Sequence, residues 1–181
     1  MPHTAVAPDA RPAHADETPP PVPQRVLVVE DLPDTRESLQ TLLKLSLKLD
    51  VDVAEDGAKG LAMLGERPYS LVITDLRMPK LDGMKLIHEI QERKLPCTVI
   101  VTTGNGTVPD AVEAMRMGAY DFLLKPPDPQ RLVLLVQRAL RERRLQDEVA
   151  ALREQLHGRH AFLNVLSKSP KMHDVFELVS Q

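Results

Sequence analysis

The chain has no tryptophan, 3% aromatic residues and a single cysteine among its 181 residues. Its core must therefore be built from aliphatic side chains, and an internal disulfide is excluded. No apolar run approaches the roughly 20 residues that a membrane-spanning helix requires, and the start lacks the basic and apolar blocks of a secretory signal. A net charge of -3 provides no basic footprint for nucleic acid or an anionic membrane. These absences predict a cytoplasmic protein that binds neither directly.

Hydrophobic residues make up 43% of the chain and charged residues 27%, which is enough for a real core. The length allows one domain of ordinary size with extensions, or two small ones. Residues 1–24 are rich in proline and alanine and show no periodic apolar pattern. Such a segment buries too little surface to offset its ordering entropy, so we predict a disordered tail.

From residue 25 onward, short apolar runs alternate with helical patterns of about ten residues or more. The predicted strands cover residues 25–30, 51–54, 69–75, 98–102 and 120–124. Helices are expected between them, and Gly118 is expected to close the fourth in the manner of a helix C-cap. Strands and helices in alternation imply parallel crossover units. The predicted fold is therefore a five-stranded, doubly wound α/β sheet.

Two of the predicted strands end in carboxylates. The apolar run 71–74 leads directly into Asp75, and the run 25–29 leads into Glu30 and Asp31. If these strands are parallel neighbours, the three carboxylates meet at the edge of the sheet where α/β proteins bind ligands. Like charges this close must share a proton or a cation, and a hard ion such as Mg²⁺ suits oxygen ligands. Each residue taken alone is equally well explained as a helix cap or turn residue.

Thr103 directly follows the fourth predicted strand, and Lys125 directly follows the fifth. A hydroxyl and an ammonium beside Asp75 would hydrogen-bond and neutralise a phosphoryl group placed on it. Taken singly, Thr103 is explained as a turn cap and Lys125 as a solvated lysine. Convergence of all five groups on one edge of one sheet is harder to explain in that way.

The last long helical pattern begins near residue 128, and its first breaker is Gly158. Apolar residues over 132–140 have the spacing of a helix that packs on the sheet. Beyond them, Leu145, Val149, Leu152 and Leu156 follow at steps of four, three and four, which is typical of a coiled-coil seam. Charged residues solvate the other faces. The alternative is a helix that folds back on its own domain.

Several motifs, agreeing in order and spacing, resemble the receiver domain of two-component response regulators over roughly residues 25–143. The matching residues are Glu30-Asp31, Asp75 with Leu76-Arg77-Met78-Pro79, Asp82-Gly83, Thr103-Gly104, Gly118-Ala119 and Lys125-Pro126. The resemblance implies a flavodoxin-like (βα)5 fold with strand order 2-1-3-4-5. It also implies that a sensor histidine kinase phosphorylates Asp75.

The resemblance further implies a ligand set for Mg²⁺: Glu30, Asp31, Asp75 and the backbone carbonyl of Arg77. Glu30 stands where many members of the family have aspartate, which adds one methylene and should keep the metal.

Roles for the residues around the phosphoryl group follow in the same way. Thr103 would bond a phosphoryl oxygen, Lys125 would pair with the phosphate, and the Lys125-Pro126 bond would be cis. Phe122 matches the aromatic switch residue of the family. The expected dimer surface is the fourth helix, fifth strand and last helix together with the coiled coil.

The end of the chain, from the coiled-coil helix through Ser167-Lys168-Ser169-Pro170, resembles the linker and first residues of an AAA+ ATPase domain. It is similar to the nitrogen-regulation and dicarboxylate-transport activators that work with sigma-54 RNA polymerase. The predicted domains are a tail (1–24), a receiver (25–142), a coiled-coil linker helix (143–160) and the start of a truncated AAA+ domain (161–181). No phosphate-binding loop is present, so we expect no ATPase activity and no direct DNA binding from this chain.

Three other functions compete with this assignment. A haloacid-dehalogenase phosphatase would need a second aspartate two residues after Asp75, where Arg77 stands. A flavodoxin-like ligand module would need a loop rich in Ser, Thr and Gly after the first strand, which instead continues into Glu30-Asp31. A degenerate receiver acting as a dimerisation adaptor would keep the fold and never take up phosphate.

Overall fold

The computed structural model describes the backbone of residues 24–104 and 108–167. It describes the side chains of residues 24–104 and 109–153. Within this range, five strands alternate with five helices. In chain order they are β1 (Arg25–Val29), α1 (Pro33–Leu47), β2 (Asp50–Ala54), α2 (Gly57–Glu66), β3 (Leu71–Asp75), α3 (Gly83–Glu92), β4 (Thr98–Thr103), α4 (Val108–Arg116), β5 (Asp121–Leu124) and α5 (Pro129–Ser167).

The strands form one parallel sheet in the order β2-β1-β3-β4-β5. This confirms the predicted flavodoxin-like (βα)5 fold and its strand order 2-1-3-4-5. All five residues of β3 are buried, as expected of a central strand covered on both faces. The register sets Asp75 beside Thr102 of β4. The last residue of β3 therefore lies at the carboxyl edge of the sheet, between β1 and β4.

Two aliphatic layers cover the sheet. On one face, α1 and α5 contribute Leu39, Leu43, Leu132 and Val136 to the core. On the other face, α2, α3 and α4 contribute residues that include Leu64, Leu86, Ile90 and Ala114.

Gly118 lies just beyond α4 with a φ of 99°, a left-handed conformation that glycine adopts without steric cost. The N–H groups of Gly118 and Ala119 donate to carbonyls of Met115 and Ala114, which closes the helix as predicted.

The end predicted for the last helix is wrong. α5 runs from Pro129 to Ser167 and passes through Gly158 without a break. A single glycine inside a helix costs only about 1 kcal/mol relative to alanine, which is too little to end a helix whose neighbours favour it. Residues 161–167, assigned from sequence to a further domain, continue the same helix. The tail up to residue 23 and residues 168–181, which include Ser169-Pro170, lie outside the described residues.

The first turns of α5 and its later turns have different environments. Leu132, Val136 and Ala139 are buried against the sheet. Leu145, Val149 and Leu152 of the predicted seam are each about half exposed. Within the described side chains, the seam does not fold back onto its own domain. No helix in the described part of the chain is both long enough and apolar enough to span a bilayer.

Candidate functional site

Asp75 is the last residue of β3, and both of its carboxylate oxygens have donors. Oδ1 accepts a hydrogen bond from the backbone N–H of Arg77 at 3.2 Å. Oδ2 accepts one from Nζ of Lys125 at 2.6 Å. The carboxylate is thus fixed at the strand end from two sides, by the loop that follows β3 and by the residue that follows β5.

Glu30 and Asp31 follow β1, the neighbouring strand. One carboxylate oxygen from each of Glu30, Asp31 and Asp75 lies within 4.8 Å of the others, so the three can share one metal ion. The guanidinium of Arg36 in α1 donates to the carbonyl of Glu30 at 2.7 Å and to that of Asp31 at 3.2 Å. On the other side, the N–H of Glu30 donates to the carbonyl of Ala54 at 3.0 Å. These backbone contacts fix the turn that presents both acidic side chains.

Lys125 joins the two carboxylate groups of neighbouring strands. Its Nζ lies 2.6 Å from Asp75 Oδ2 and 2.5 Å from Glu30 Oε2, and its side chain is 14% exposed. Burial acts to lower the pKa of Lys125, but the contacts with Asp75 and Glu30 outweigh it and raise the pKa. Lys125 therefore holds its proton more tightly than a free lysine, and its ammonium lies between the carboxylates of Asp75 and Glu30.

Glu30 is the least satisfied polar side chain of the cluster. Its carboxylate is 1% exposed, and Oε2 forms a buried ion pair with Lys125. Burial raises the pKa of Glu30, the nearby charge of Asp75 adds to the rise, and Lys125 opposes it. Buried carboxylate oxygens are normally hydrogen-bonded or bound to metal. Three carboxylates around the single ammonium of Lys125 fit the oxygen ligands and charge that Mg²⁺ requires.

Thr103 is the last residue of β4 and is buried. It joins the same edge through its backbone, because its carbonyl accepts a hydrogen bond of 2.8 Å from the N–H of Lys125. Phe122, in β5, is partly buried against the core of the α2, α3 and α4 face. The peptide bond between Lys125 and Pro126 is cis, as the resemblance implied.

Three residues that sequence reasoning did not select support this edge. Arg36 fixes the turn after β1, as described above. Asp56 caps α2 and binds Lys80 of the loop after β3 at 2.5 Å. The available signals were weak: Asp56 precedes a glycine at a helix start, and Lys80 follows a proline. Neither pattern indicates that two residues 24 positions apart are in contact.

A cleft of about 540 Å³ opens beside the cluster, between the loop after β3 and α4. Asp31, Arg77, Met78 and Asp110 are among its lining residues. The guanidinium of Arg77 lies 3.6 Å from the carboxylate of Asp110 across this cleft. The acidic cluster is therefore reached from solvent on the side of Asp31, which a phosphate donor or a metal ion would require.

A doubly wound sheet with an acidic cluster and a lysine at its carboxyl edge defines the receiver class of α/β domains. Comparison with known families gives the same class. The model of the response regulator receiver domain matches residues 26–137. The chain belongs to the response regulator receiver family.

Curated relatives cover the same region. The chain is 42% identical over 137 residues to the C4-dicarboxylate transport transcriptional regulatory protein DctD of Pseudomonas aeruginosa, covering 75% of this chain and 29% of DctD. It is 33% identical over 151 residues to the regulatory protein AtoC of Escherichia coli, covering 83% of this chain and 32% of AtoC. With the transcriptional regulatory protein FixJ of Bradyrhizobium diazoefficiens it shares 34% identity, covering 84% of this chain and 71% of FixJ. The chain thus spans about a third of the length of DctD and AtoC.

Solved structures agree. A response regulator receiver domain protein from Clostridium thermocellum matches with a TM-score of 0.64 and 31% identity, covering 68% of this chain and 98% of that one. A receiver protein from Pseudomonas putida matches with a TM-score of 0.60 and 36% identity, covering 65% of this chain and 98% of that one.

Proposed function

We propose that this protein is the phosphoacceptor of a cytoplasmic two-component system, in which Asp75 accepts a phosphoryl group from a phosphohistidine of a sensor kinase. The observation that carries the proposal is the cluster of Glu30, Asp31 and Asp75 within 4.8 Å, with Lys125 bonded to Asp75. A carboxylate oxygen of Asp75 attacks the phosphorus, the P–N bond breaks, and its electron pair returns to the imidazole.

The residues around Asp75 supply what phosphoryl transfer needs. Mg²⁺, held by Glu30, Asp31, Asp75 and the carbonyl of Arg77, would neutralise charge on the transferred group. Lys125 is already bonded to Asp75 and would pair with a phosphoryl oxygen in the product. Thr103, at the end of the adjacent strand β4, would donate its hydroxyl to another.

The new phosphoryl group adds about -1.5 to -2 charges at neutral pH, and this charge is the input to the switch. To shift a two-state domain from 1:99 to 99:1, it must favour one state by about 5.5 kcal/mol. New bonds from Lys125 and Thr103 to the phosphoryl group, in a mostly buried site, would contribute a free energy of this order. Phe122 would then occupy the space that Thr103 leaves as it moves inward.

The proposed output is a homodimer formed through α4, β5, α5 and the seam of Leu145, Val149 and Leu152. The half-exposed seam supports this surface, because its apolar side chains would be buried by pairing with the same seam of a second copy. Similarity to DctD and AtoC supports an AAA+ output domain and sigma-54-dependent transcription, with phosphorylation changing the geometry of the dimer.

The phosphoacceptor is tested by incubation with acetyl phosphate and Mg²⁺ followed by intact mass measurement. We expect a mass increase of one phosphoryl group that is stable in acid and labile in base, and that Asp75→Asn abolishes. An unmodified wild type with a folded site would favour the dimerisation adaptor. Modification that persists in Asp75→Asn would refute the assignment of the acceptor.

The dimer surface is tested with Leu152→Lys, compared with Ala150→Lys, which adds the same charge to the same helix away from the seam. Light scattering with and without beryllofluoride, a mimic of the phosphoryl group, measures the molecular mass. We expect Leu152→Lys to weaken dimerisation and Ala150→Lys to leave it nearly unchanged. Equal effects of both variants would place the dimer contact elsewhere.

A further inference from the structure

We propose that the ion pair between Asp56 and Lys80 positions the loop after β3, and that these two residues thereby set the affinity of the site for Mg²⁺ without contacting the ion. The inference rests on the proposed function, because it concerns the metal that the acidic cluster would hold. It assigns a role to a second charged pair that lies outside the cluster of Glu30, Asp31, Asp75 and Lys125.

The carboxylate of Asp56 is buried, with 3% of its side chain exposed, and both of its oxygens are used. Oδ1 accepts a hydrogen bond of 2.8 Å from the backbone N–H of Lys59 and so caps α2. Oδ2 accepts one of 2.5 Å from Nζ of Lys80. Lys80 holds the pKa of Asp56 below its usual value, and the bond from Lys59 adds to this effect. A buried and fully bonded carboxylate is a rigid anchor for a loop.

The loop that Lys80 belongs to has an unusual backbone at this position. Lys80 has a φ of 65°, in the left-handed region that is sterically unfavourable for a residue other than glycine. Lys48 and Lys94 also have positive φ, but each lies within two residues of a helix end, where this conformation is common. Lys80 instead lies between β3 and α3, where its bond to Asp56 offsets the cost.

The two ends of this loop are held by backbone contacts. The N–H of Gly57 donates to the carbonyl of Leu81 at 3.2 Å, and the N–H of Gly83 donates to that of Leu76 at 2.9 Å. A Cβ at Gly57 would overlap the carbonyl oxygen of Leu81, and one at Gly83 would overlap that of Asp75. These close backbone approaches fix where the loop begins and ends. The ion pair of Asp56 and Lys80 adds a side-chain contact between α2 and the loop.

Asp56 also lies close in the chain to the end of β2, which supports Glu30. Ala54, two residues earlier, accepts the hydrogen bond from the N–H of Glu30. Arg77, three residues before Lys80, donates its N–H to Asp75. The ion pair therefore connects the chain segment that supports Glu30 with the loop that supports Asp75, and both halves must keep their spacing to share one ion.

The loss of Lys80 should change the affinity for Mg²⁺ in two opposite ways, one through charge and one through the position of the loop. Removing a positive charge near an acidic site should by itself strengthen the binding of a cation. Releasing the loop should weaken it, because the ligands are then less well organised. Lys80→Gln thus separates the two effects, and the double variant Asp56→Asn with Lys80→Gln keeps the net charge of the wild type while losing the pair.

The control is Lys85→Gln, which removes the same charge from an equally exposed lysine in α3. Lys85 lies 3.4 Å from Asp82 within its own helix start and connects no second loop. Lys80→Arg serves as the rescue variant, because arginine can keep an ion pair with Asp56.

The experiment measures the dissociation constant for Mg²⁺ by NMR titration of the full chain and its variants. We expect Lys80→Gln and the double variant to bind Mg²⁺ at least about threefold more weakly, below the 10- to 100-fold typical of groups bonded directly to a ligand. Lys80→Arg and Lys85→Gln should stay within about twofold of the wild type on the same scale. Binding by Lys80→Gln as tight as that by Lys85→Gln would overturn the inference.

A second measurement needs no metal. Amide hydrogen exchange of Gly57 and Gly83 in Mg²⁺-free protein should be at least about threefold faster in Lys80→Gln and unchanged in Lys85→Gln, because local opening frees these bonds. Unchanged exchange in Lys80→Gln contradicts a positioning role even if the metal affinity falls. A wild type that binds no Mg²⁺ would instead refute the proposed function and this inference with it, whatever the exchange rates.

Discussion

The two edges of the sheet both carry clusters of charged residues, but their charges are balanced differently. At the amino edge, Asp50 and Asp52 face Arg25 and Arg67, with N–O distances of 2.7 Å for Arg25 to Asp50 and 3.3 Å for Arg67 to Asp52. Tyr69 adds a hydrogen bond of 2.8 Å to Asp52. Two carboxylates thus meet two guanidiniums.

At the carboxyl edge, three carboxylates meet a single ammonium. Lys125 contacts both Glu30 and Asp75, and the oxygens of Glu30 have no hydrogen bond among the described residues. A balanced cluster is explained by folding alone, since every charge has a partner. A buried cluster with an excess of negative charge would be stabilised by an additional cation, so the carboxyl edge is the one that could hold a metal ion.

The largest contrast is expected when one aspartate at each edge loses its charge. Asp75→Asn should reduce phosphorylation by acetyl phosphate to background, because the nucleophile is gone. Asp52→Asn at the amino edge should leave the initial rate within about twofold of the wild type, because it contacts no reacting group. Intact mass measured over time gives both rates, and a comparable loss in Asp52→Asn would contradict the division between the edges.

The next contrast concerns the metal. Glu30→Gln should weaken Mg²⁺ binding by at least about tenfold, the size expected when a group at a metal site is lost. Its free energy of unfolding should change little, because Lys125 keeps Asp75 as its partner and the repulsion among three crowded carboxylates is reduced. NMR titration with Mg²⁺ and urea unfolding measure the two quantities. A large loss of stability with unchanged metal affinity would make Glu30 a structural residue like those of the amino edge.

Tyr69→Phe should have the reverse effect. The hydroxyl of Tyr69 is bonded to Asp52 in a residue that is 3% exposed, so its loss should lower the free energy of unfolding by about 1 kcal/mol. Mg²⁺ binding should be unaffected, because the amino edge is at the opposite end of the strands. Urea unfolding of both proteins at neutral pH measures the change. A shift in metal affinity would show that the two edges are coupled.

The last contrast is a dependence on alkaline pH. Burial and the bond to Asp52 raise the pKa of Tyr69 to about 12 from its usual 10. A raised pKa means that the folded state holds the proton more tightly, so this stabilisation is complete below pH 10 and is lost as the pH rises toward 12. The advantage of the wild type over Tyr69→Phe should therefore shrink between these values in urea unfolding. An advantage independent of pH would contradict the assigned bond.

Much of the fold could be predicted because its strands and helices are indicated by patterns of neighbouring residues. The apolar run 71–74 and its neighbours have the length and composition of buried strands, and their alternation with helices leaves few topologies. The observed strands differ from the predicted ones mostly by one or two residues at their ends. The stop at Gly158 was wrong because a single glycine is a weak signal when the residues on both sides favour the helix.

The sequence predicted which residues lie together at the carboxyl edge, but not which of them contact each other. Glu30, Asp31, Asp75 and Lys125 each follow an apolar run, so sheet geometry alone brings them to one edge. That Lys125 touches both Glu30 and Asp75, and that Asp56 holds Lys80, follows from no local pattern. Such contacts depend on side chains that come from separate strands and loops.

The sequence by itself determined the order of the elements, the parallel sheet and the set of residues at its carboxyl edge, because hydrophobic periodicity and strand ends are local properties. Only the tertiary structure decided which charges are paired, that Glu30 is buried beside Lys125, and that Leu145 and Leu152 of α5 are about half exposed rather than folded back onto the domain. The physical reason is that pairing and burial are set by distances of a few ångströms between residues far apart in the chain, which no spacing along the chain encodes.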